Sequence, residues 1–288
     1  MTRRHRITQI TCYFCRNINY RRKTPMKNII SISFILFILI GCTSKSEKLG
    51  ADNSSVQSFS KNEKQENEIE KRIADTDLQE KLAITNSLFF TKEDGSSFEV
   101  KAFLDKSDAV LKVEQKFVNG KTNEYGSILF YVLNGKKYAS KERFEDRSGE
   151  KPTFIERVSY YNEKEKVTQT KIRKAFFEEE LDAQPFEKTE AYDCSIVPAM
   201  NALNQEGIFE TRFQGFVFNG NTTYVTVGEA GGNGYISALL LQYEDETTRK
   251  LMKNQKKMLG VKLDLGFQKM IDDTGFEFQV LLTLEMAK

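Results

Sequence analysis

Residues 127–136, Ser-Ile-Leu-Phe-Tyr-Val-Leu-Asn-Gly-Lys, decide the fold of this chain. The first seven are apolar on both faces of an extended chain, which is typical of a central strand covered on both sides. Asn134-Gly135 then provides the two positions with positive φ that a tight hairpin needs. The stretch therefore predicts a covered strand that turns directly into an antiparallel partner at 137–144.

Strand signals continue on both sides of this hairpin, as apolar residues that alternate with polar ones. Further strands are expected near 98–102, 109–117, 154–161 and 167–175. Turn residues stand at Asn119-Gly120 and at 162–165. We therefore expect residues 86–177 to form an antiparallel meander.

A helix is expected after the meander. Residues 191–205 carry apolar side chains at helical spacing, and Gly207 follows their end. Pro198 falls inside this segment, so it either kinks the helix or delays its start. We expect the helix to cover the meander, with Cys194 packed in its apolar face.

The last part of the chain repeats the strand pattern with one helix inserted. Strands are expected at 212–218, 222–228, 235–243, 261–267 and 276–284, with a helix at 246–259. This β-β-β-α-β-β order resembles that of the OB-fold, a five-stranded barrel. The predicted fold class is α+β, mostly antiparallel β. Residues 78–207 form a β-meander with a covering helix, and residues 208–288 form a small OB-like barrel with one helix.

The beginning of the chain has the organisation of a secretion signal. Lys27 precedes an apolar stretch at 29–40, which ends at Gly41-Cys42. This stretch is too short to cross about 30 Å of hydrocarbon as a helix, but it has the length of a signal-peptide core. The tetrad Leu39-Ile40-Gly41-Cys42 resembles the lipobox of bacterial lipoprotein precursors.

This resemblance implies a cleavage and an anchor. Residues 26–41 would be a signal peptide removed between Gly41 and Cys42, and the Cys42 thiol would carry a diacylglycerol. Two or three acyl chains such as palmitate anchor a protein stably, because each buried methylene contributes about 0.8 kcal/mol. The implied location is the cell envelope, on the periplasmic face of the outer membrane. Residues 1–25 are then a mis-called start or an extended n-region.

Composition separates the leader from the rest of the chain. Residues 42–77 are rich in Ser, Lys, Glu, Asn and Gln, which predicts a solvated tether behind the lipidated residue. The whole chain has a formal net charge of +2, but residues 1–41 hold eight basic residues and no acid. From Cys42 onward, the chain has 35 basic and 41 acidic residues, so the net charge of this part is −6. This negatively charged part of the chain does not complement the negative phosphates of nucleic acid, so no nucleic-acid partner is expected.

Histidine and cysteine usage limits the chemistry of the mature chain. His5, the only histidine, and the pair Cys12 and Cys15 precede the predicted cleavage site. Cys194 is the only cysteine after Cys42. Catalytic units with histidine, histidine-ligated metal sites, thiolate zinc clusters and a disulfide within one chain are thereby excluded. We expect no cofactor and no metal ion.

Three other features invite a functional interpretation. The acidic runs Glu178-Glu179-Glu180 with Asp182, and Asp272-Asp273, could pair carboxylates for hydrolysis or calcium binding, although such runs usually form solvated turns. The backbone amides of the glycine-rich segment 228–234 could bind an anion, although a hairpin loop is the favoured interpretation. An aromatic stacking platform would comprise Phe216, Phe218, Tyr224, Tyr235 and Tyr243. A core role is the simpler interpretation of the phenylalanines.

The leading hypothesis is a membrane-anchored envelope lipoprotein that is not an enzyme. It would bind a protein, glycan or lipid through its sheet surfaces. The first alternative is an envelope hydrolase that uses carboxylates alone, which requires two acids in one pocket with a raised pKa. The second alternative is an inhibitor or assembly factor that acts through a strand edge.

Overall fold

A computed structural model describes residues 54–229 and 234–287, with side chains from residue 66 onward. The expected signal peptide, the lipidation residue Cys42 with its neighbour Gly41, and the pair Cys12 and Cys15 lie outside the described residues. Within these ranges, no helix has the length and apolar character needed to cross a membrane.

The fold is α+β and mostly antiparallel β, as the alternating sequence pattern predicts. The strands are β1 (Ala83–Asn86), β2 (Phe90–Thr91), β3 (Ser97–Leu104), β4 (Val110–Asn119), β5 (Glu124–Leu133), β6 (Lys136–Asp146), β7 (Thr153–Tyr161), β8 (Val167–Ala175), β9 (Glu187–Thr189), β10 (Phe213–Asn219), β11 (Thr222–Gly228), β12 (Ile236–Leu241), β13 (Leu263–Ile271) and β14 (Glu277–Met286). The helices are α1 (Ser54–Asp77), α2 (Glu178–Leu181), α3 (Val197–Asn204), α4 (Glu246–Lys253) and α5 (Gln255–Met258), with a 3₁₀ turn at Gly207–Phe209.

Strands β3 to β8 form the predicted meander, each pairing antiparallel with the next, and the unpredicted strand β9 extends it beyond β8. The hairpin at the centre of the prediction is confirmed, since Asn134 and Gly135 have φ values of 52° and 75°. The turn after Asn119 is longer than a two-residue hairpin. It runs to Asn123, whose φ is 57°, before β5 begins.

Helix α1 packs on one face of this meander, here called the helix face. That face is defined by Tyr131, Ala139, Val158 and Tyr160, which form an apolar cluster with Ile69 of the helix. Residues 66–77, inside the segment interpreted as a tether, therefore lie against the sheet.

The opposite face of the meander, the core face, contributes to the main apolar core. Phe90 and Phe98 from the meander side pack there with Phe209 and Tyr235 from the second half of the chain. Helix α3 packs on β3. Pro198 is the second residue of α3, so it delays the start of the helix.

The C-terminal strands have the predicted order, with α4 and α5 between β12 and β13. Strands β10, β11 and β12 pair antiparallel, β12 then pairs parallel with β14 at Leu240 and Val280, and β14 pairs with β13. Among the described strands, the sheet does not close into the predicted barrel. Strand β12 also pairs with β2, at Ile236 and Thr91. Strands on both sides of residue 207 thus share one sheet, and the described residues, 54–229 and 234–287, form one compact unit.

Candidate functional site

A groove of about 320 Å³ lies on the helix face, at the end of β4–β7 that α1 does not cover. Side chains from β4, β5, β6, β7 and α2 line it. They include Lys116, Val118, Tyr125, Ser127, Arg143, Glu145, Phe154 and Glu178. Its volume is at the lower limit of small-molecule sites, roughly 300–1,000 Å³.

Strand register explains which side chains meet in the groove. Residues directly opposite each other on neighbouring strands share a face, and every second residue returns to it. One cross-strand row contains Lys116, Ser127, Arg143, Glu156 and Arg173, and is polar throughout. The next row contains Val118, Tyr125, Glu145, Phe154 and Ala175, and is mostly apolar. The groove therefore has one polar side and one aromatic side.

An ion cluster fixes the polar side. The Glu156 carboxylate is completely buried, and Arg173 Nη2 lies 2.5 Å from its Oε2. Lys141 Nζ lies 2.9 Å from Oε1, and Arg143 Nη2 lies 3.7 Å from Oε2. Three cations thus surround one buried carboxylate, which offsets its loss of hydration.

Asp182, just after α2, completes this cluster. Its Oδ1 accepts a hydrogen bond from Arg143 Nη2 at 2.7 Å and another from Arg173. The hydrogen bond from Arg143 lowers the pKa of the Asp182 carboxyl. Arg143 is therefore held between two carboxylates at the floor of the groove.

A second buried carboxylate lies on the core face. Glu142 Oε2 lies 2.5 Å from Arg157 Nη1. Burial raises the pKa of Glu142, while Arg157 opposes the shift. Because Glu142 precedes Arg143, whose side chain is on the helix face, Glu142 and Glu156 point to opposite faces of the sheet.

Cys194 lies before α3 and outside that helix, although it is buried in the main core. Its amide donates a hydrogen bond to Tyr161 Oη at 3.2 Å. Burial raises the pKa of the Cys194 thiol to about 12, with Glu142 adding to the shift. The thiol is therefore protonated and unreactive at neutral pH.

The acidic runs have separate positions. Glu178 lines the groove, while Asp182 is engaged by arginines. Asp272 Oδ1 accepts hydrogen bonds from the amides of Thr274 and Phe276 in its own turn. Within the described ranges, no group of three histidine, cysteine or acidic side chains is arranged to hold a metal ion.

The aromatic side chains proposed as a platform do not come together. Tyr235 stacks on Phe209 inside the core, with ring centroids 5.0 Å apart. Tyr224 pairs with Val217 and so faces away from Phe216 and Phe218, which are neighbours on the other side. Of the proposed set, the most exposed member is Tyr243, beyond the end of β12.

The glycine-rich segment connects β11 and β12, as the hairpin interpretation predicts. Gly228 pairs with Ile236 and has a φ of 134°, and a Cβ there would lie 2.1 Å from the Tyr235 carbonyl oxygen. Residues 230–233 lie outside the described part of the chain.

No sequence motif contains Tyr125, Arg143, Phe154 or Glu156. Each is ordinary in its own strand, and only the register of four strands brings them to one groove. One signal was available. Glu156 and Arg157 are the only charged residues in the segment Phe154–Tyr161, and charged residues inside a covered strand usually have partners.

Comparisons of the chain with protein-family models, with curated proteins and with solved structures gave no match.

Proposed function

We propose that the chain is the precursor of a bacterial lipoprotein that is lipidated at Cys42 and located on the periplasmic face of the outer membrane. One observation carries this proposal: the tetrad Leu39-Ile40-Gly41-Cys42 closes an apolar stretch with the length of a signal-peptide core. The body behind the anchor is a non-enzymatic binding module.

The groove on the helix face supports a binding role. Its floor residue Arg143 is held by Asp182 and Glu156, so the charged group keeps one orientation. Preorganised groups of this kind lose little entropy when a ligand binds. Tyr125 contributes an aromatic side chain that is 43% exposed.

A hydrolase that uses carboxylates alone has less support. It needs two acids that converge on one substrate. Glu142 and Glu156 lie on opposite faces of the sheet, and each is paired with arginine. Neither carboxylate is free to act as general acid or nucleophile at a shared position. Glu145 and Glu178 both line the groove, but Glu145 is held by Arg147, whose Nη2 lies 2.6 Å from its Oε2.

The strand-edge alternative also has less support. One end of the sheet path is β9, an exposed strand of three residues that contains Glu187 and Lys188. The other end is β10, whose start is bridged to the start of β13 at Arg212 and Lys262. Short charged edge strands are a common protection against pairing with another chain.

For the C-terminal half, we propose the OB-like arrangement as the finer description. The pairing order β10-β11-β12-β14-β13 with a parallel β12–β14 contact is compatible with it. The start of β10 also approaches the start of β13 through a bridge between Arg212 and Lys262. Leu263 donates its amide hydrogen to the Thr211 carbonyl at 2.8 Å in this region.

The anchor is tested by Cys42→Ser, with Cys194→Ser as the matched cysteine control. Wild-type protein and Cys194→Ser should partition into detergent, with an intact mass that starts at residue 42 and includes the acyl chains. The Cys42→Ser variant should keep the precursor mass, because no thiol is present to accept the diacylglycerol. Detergent partitioning of Cys42→Ser at the wild-type size would refute the lipoprotein assignment.

A further inference from the structure

We propose that the groove beside Tyr125 binds a neutral oligosaccharide. This inference rests on the proposed function as a binding module. A sugar ring has flat C–H faces and hydroxyl groups at its edge, so it needs an apolar surface beside polar groups. The two cross-strand rows of the groove provide that combination, with Tyr125 and Phe154 in one row and Lys116 and Arg143 in the other.

Hydroxyl groups both donate and accept hydrogen bonds, and the groove offers partners for both roles. Lys116 and Arg143 are donors, whereas the carboxylates of Glu145 and Glu178 are acceptors. Arg143 is already paired with Asp182 and Glu145 with Arg147, so Lys116 and Glu178 are the more accessible donor and acceptor for a ligand's hydroxyl groups.

The charge of the lining disfavours an ionic ligand. Two basic and two acidic side chains line the groove, and two of them, Arg143 and Glu145, are already paired with Asp182 and Arg147. A phosphate would meet Glu178, and a cation would meet Lys116. A neutral ligand meets no such repulsion.

The floor of the groove also argues against a peptide or an acyl chain. The floor is a sheet face, and β4, β5, β6 and β7 already pair with each other along it. An extended peptide is usually recognised through free backbone groups at a strand edge, which this floor does not present among the described strands. An acyl chain would cover Arg143 and Ser127 without hydrogen bonds, which is costly.

The test is calorimetric titration of the lipid-anchored protein, in a detergent without a sugar headgroup, with N-acetylchitotetraose, cellotetraose and maltotetraose. At least one of these should bind. Tyr125→Ala should weaken that binding by about tenfold or more. Tyr125→Phe keeps the ring and should stay within about threefold. Tyr243→Ala, which removes an exposed tyrosine outside the groove, should have no effect.

Two results would overturn the proposal: no binding of any of the three tetrasaccharides, or equal binding by wild type and Tyr125→Ala. After either result, a photo-reactive phenylalanine analogue in place of Tyr125 shows whether the groove binds something other than a saccharide. Cross-linking of this variant to a protein would reject the saccharide but keep the binding module. The Cys42→Ser experiment tests the lipid anchor independently of the saccharide and of the binding module.

Discussion

Glu156 shows how one side chain organises its surroundings. Its carboxylate is completely buried, and its charge is balanced by Arg173, Lys141 and Arg143. Lys141 and Arg143 remain partly exposed, so water also screens them. The cluster therefore adds little net stability, although removal of one partner from it is costly.

Glu156→Gln should lower the free energy of unfolding by about 2–4 kcal/mol, because it leaves buried arginine charge without its carboxylate. Urea denaturation at neutral pH measures this difference. Glu179→Gln is the control, since this exposed acid on α2 should change stability by less than about 0.5 kcal/mol. Equal stability of the two variants would contradict a structural role for the cluster.

The burial of Cys194 leads to a second prediction at the scale of single residues. Because burial raises the pKa of its thiol from 9.0 to about 12, almost no thiolate is present at pH 8. We expect a disulfide reagent to modify the folded protein slower than the denatured protein by roughly a thousandfold. Absorbance of the released thiol follows both reactions, with Cys194→Ser as the blank. Fast modification of the folded chain would show that the site opens.

At the scale of elements, one turn recurs in the hairpins. It spans 105–109, 162–166 and 272–276, and in each case the amide of the first residue donates to the carbonyl of the fifth. The first residue is Asp or Asn, and its side chain accepts hydrogen bonds from the third and fifth amides. The fourth residue has a positive φ, as in three-residue hairpin loops.

Asp272→Asn should remove the acid sensitivity of its turn without removing the turn. Hydrogen bonds from the Thr274 hydroxyl and from the Phe276 amide lower the pKa of Asp272 below its ordinary value of 3.8. The stabilisation is therefore present above pH 3.8 and is lost as the pH falls through the lowered pKa. Asn162 already makes the same amide hydrogen bonds without a charge.

The measurement is an NMR titration of the Thr274 and Phe276 amides below pH 5. In the wild type these signals should shift with acid, and in Asp272→Asn the larger part of that shift should be lost, leaving only the smaller effect of neighbouring acids such as Asp273. Matching titrations in both proteins would contradict the assignment.

At the scale of the whole molecule, both halves of the chain depend on one core. Phe90 and Phe98 pack against Phe209 and Tyr235, with centroid distances from 4.8 to 6.3 Å. Neither half can bury its aromatic side chains without the other. Their separation would expose that apolar surface to water, which is unfavourable.

We therefore expect residues 54–288 to unfold in one cooperative transition. Far-ultraviolet circular dichroism and tyrosine fluorescence should give the same urea midpoint, and a fragment of residues 208–288 should not fold alone. Two separate transitions, or a folded fragment, would show that the halves are independent.

The sequence alone determined the longer strands of this protein and most of their turns. Strand periodicity and turn residues such as Asn134-Gly135 act locally, so they can be recognised without knowledge of distant partners. The lipoprotein assignment also rests on sequence alone. The short strands β1, β2 and β9 were missed, because two to four residues are too few to show a period.

Only the tertiary structure decided which strands meet and what their side chains form together. The β2–β12 pairing joins residues about 145 positions apart in the chain, and no local pattern encodes it. The groove depends on the register of four strands, and a shift of one residue would turn Tyr125 and Arg143 to the other face. Local sequence sets the conformation of each segment, whereas the site arises from contacts between segments.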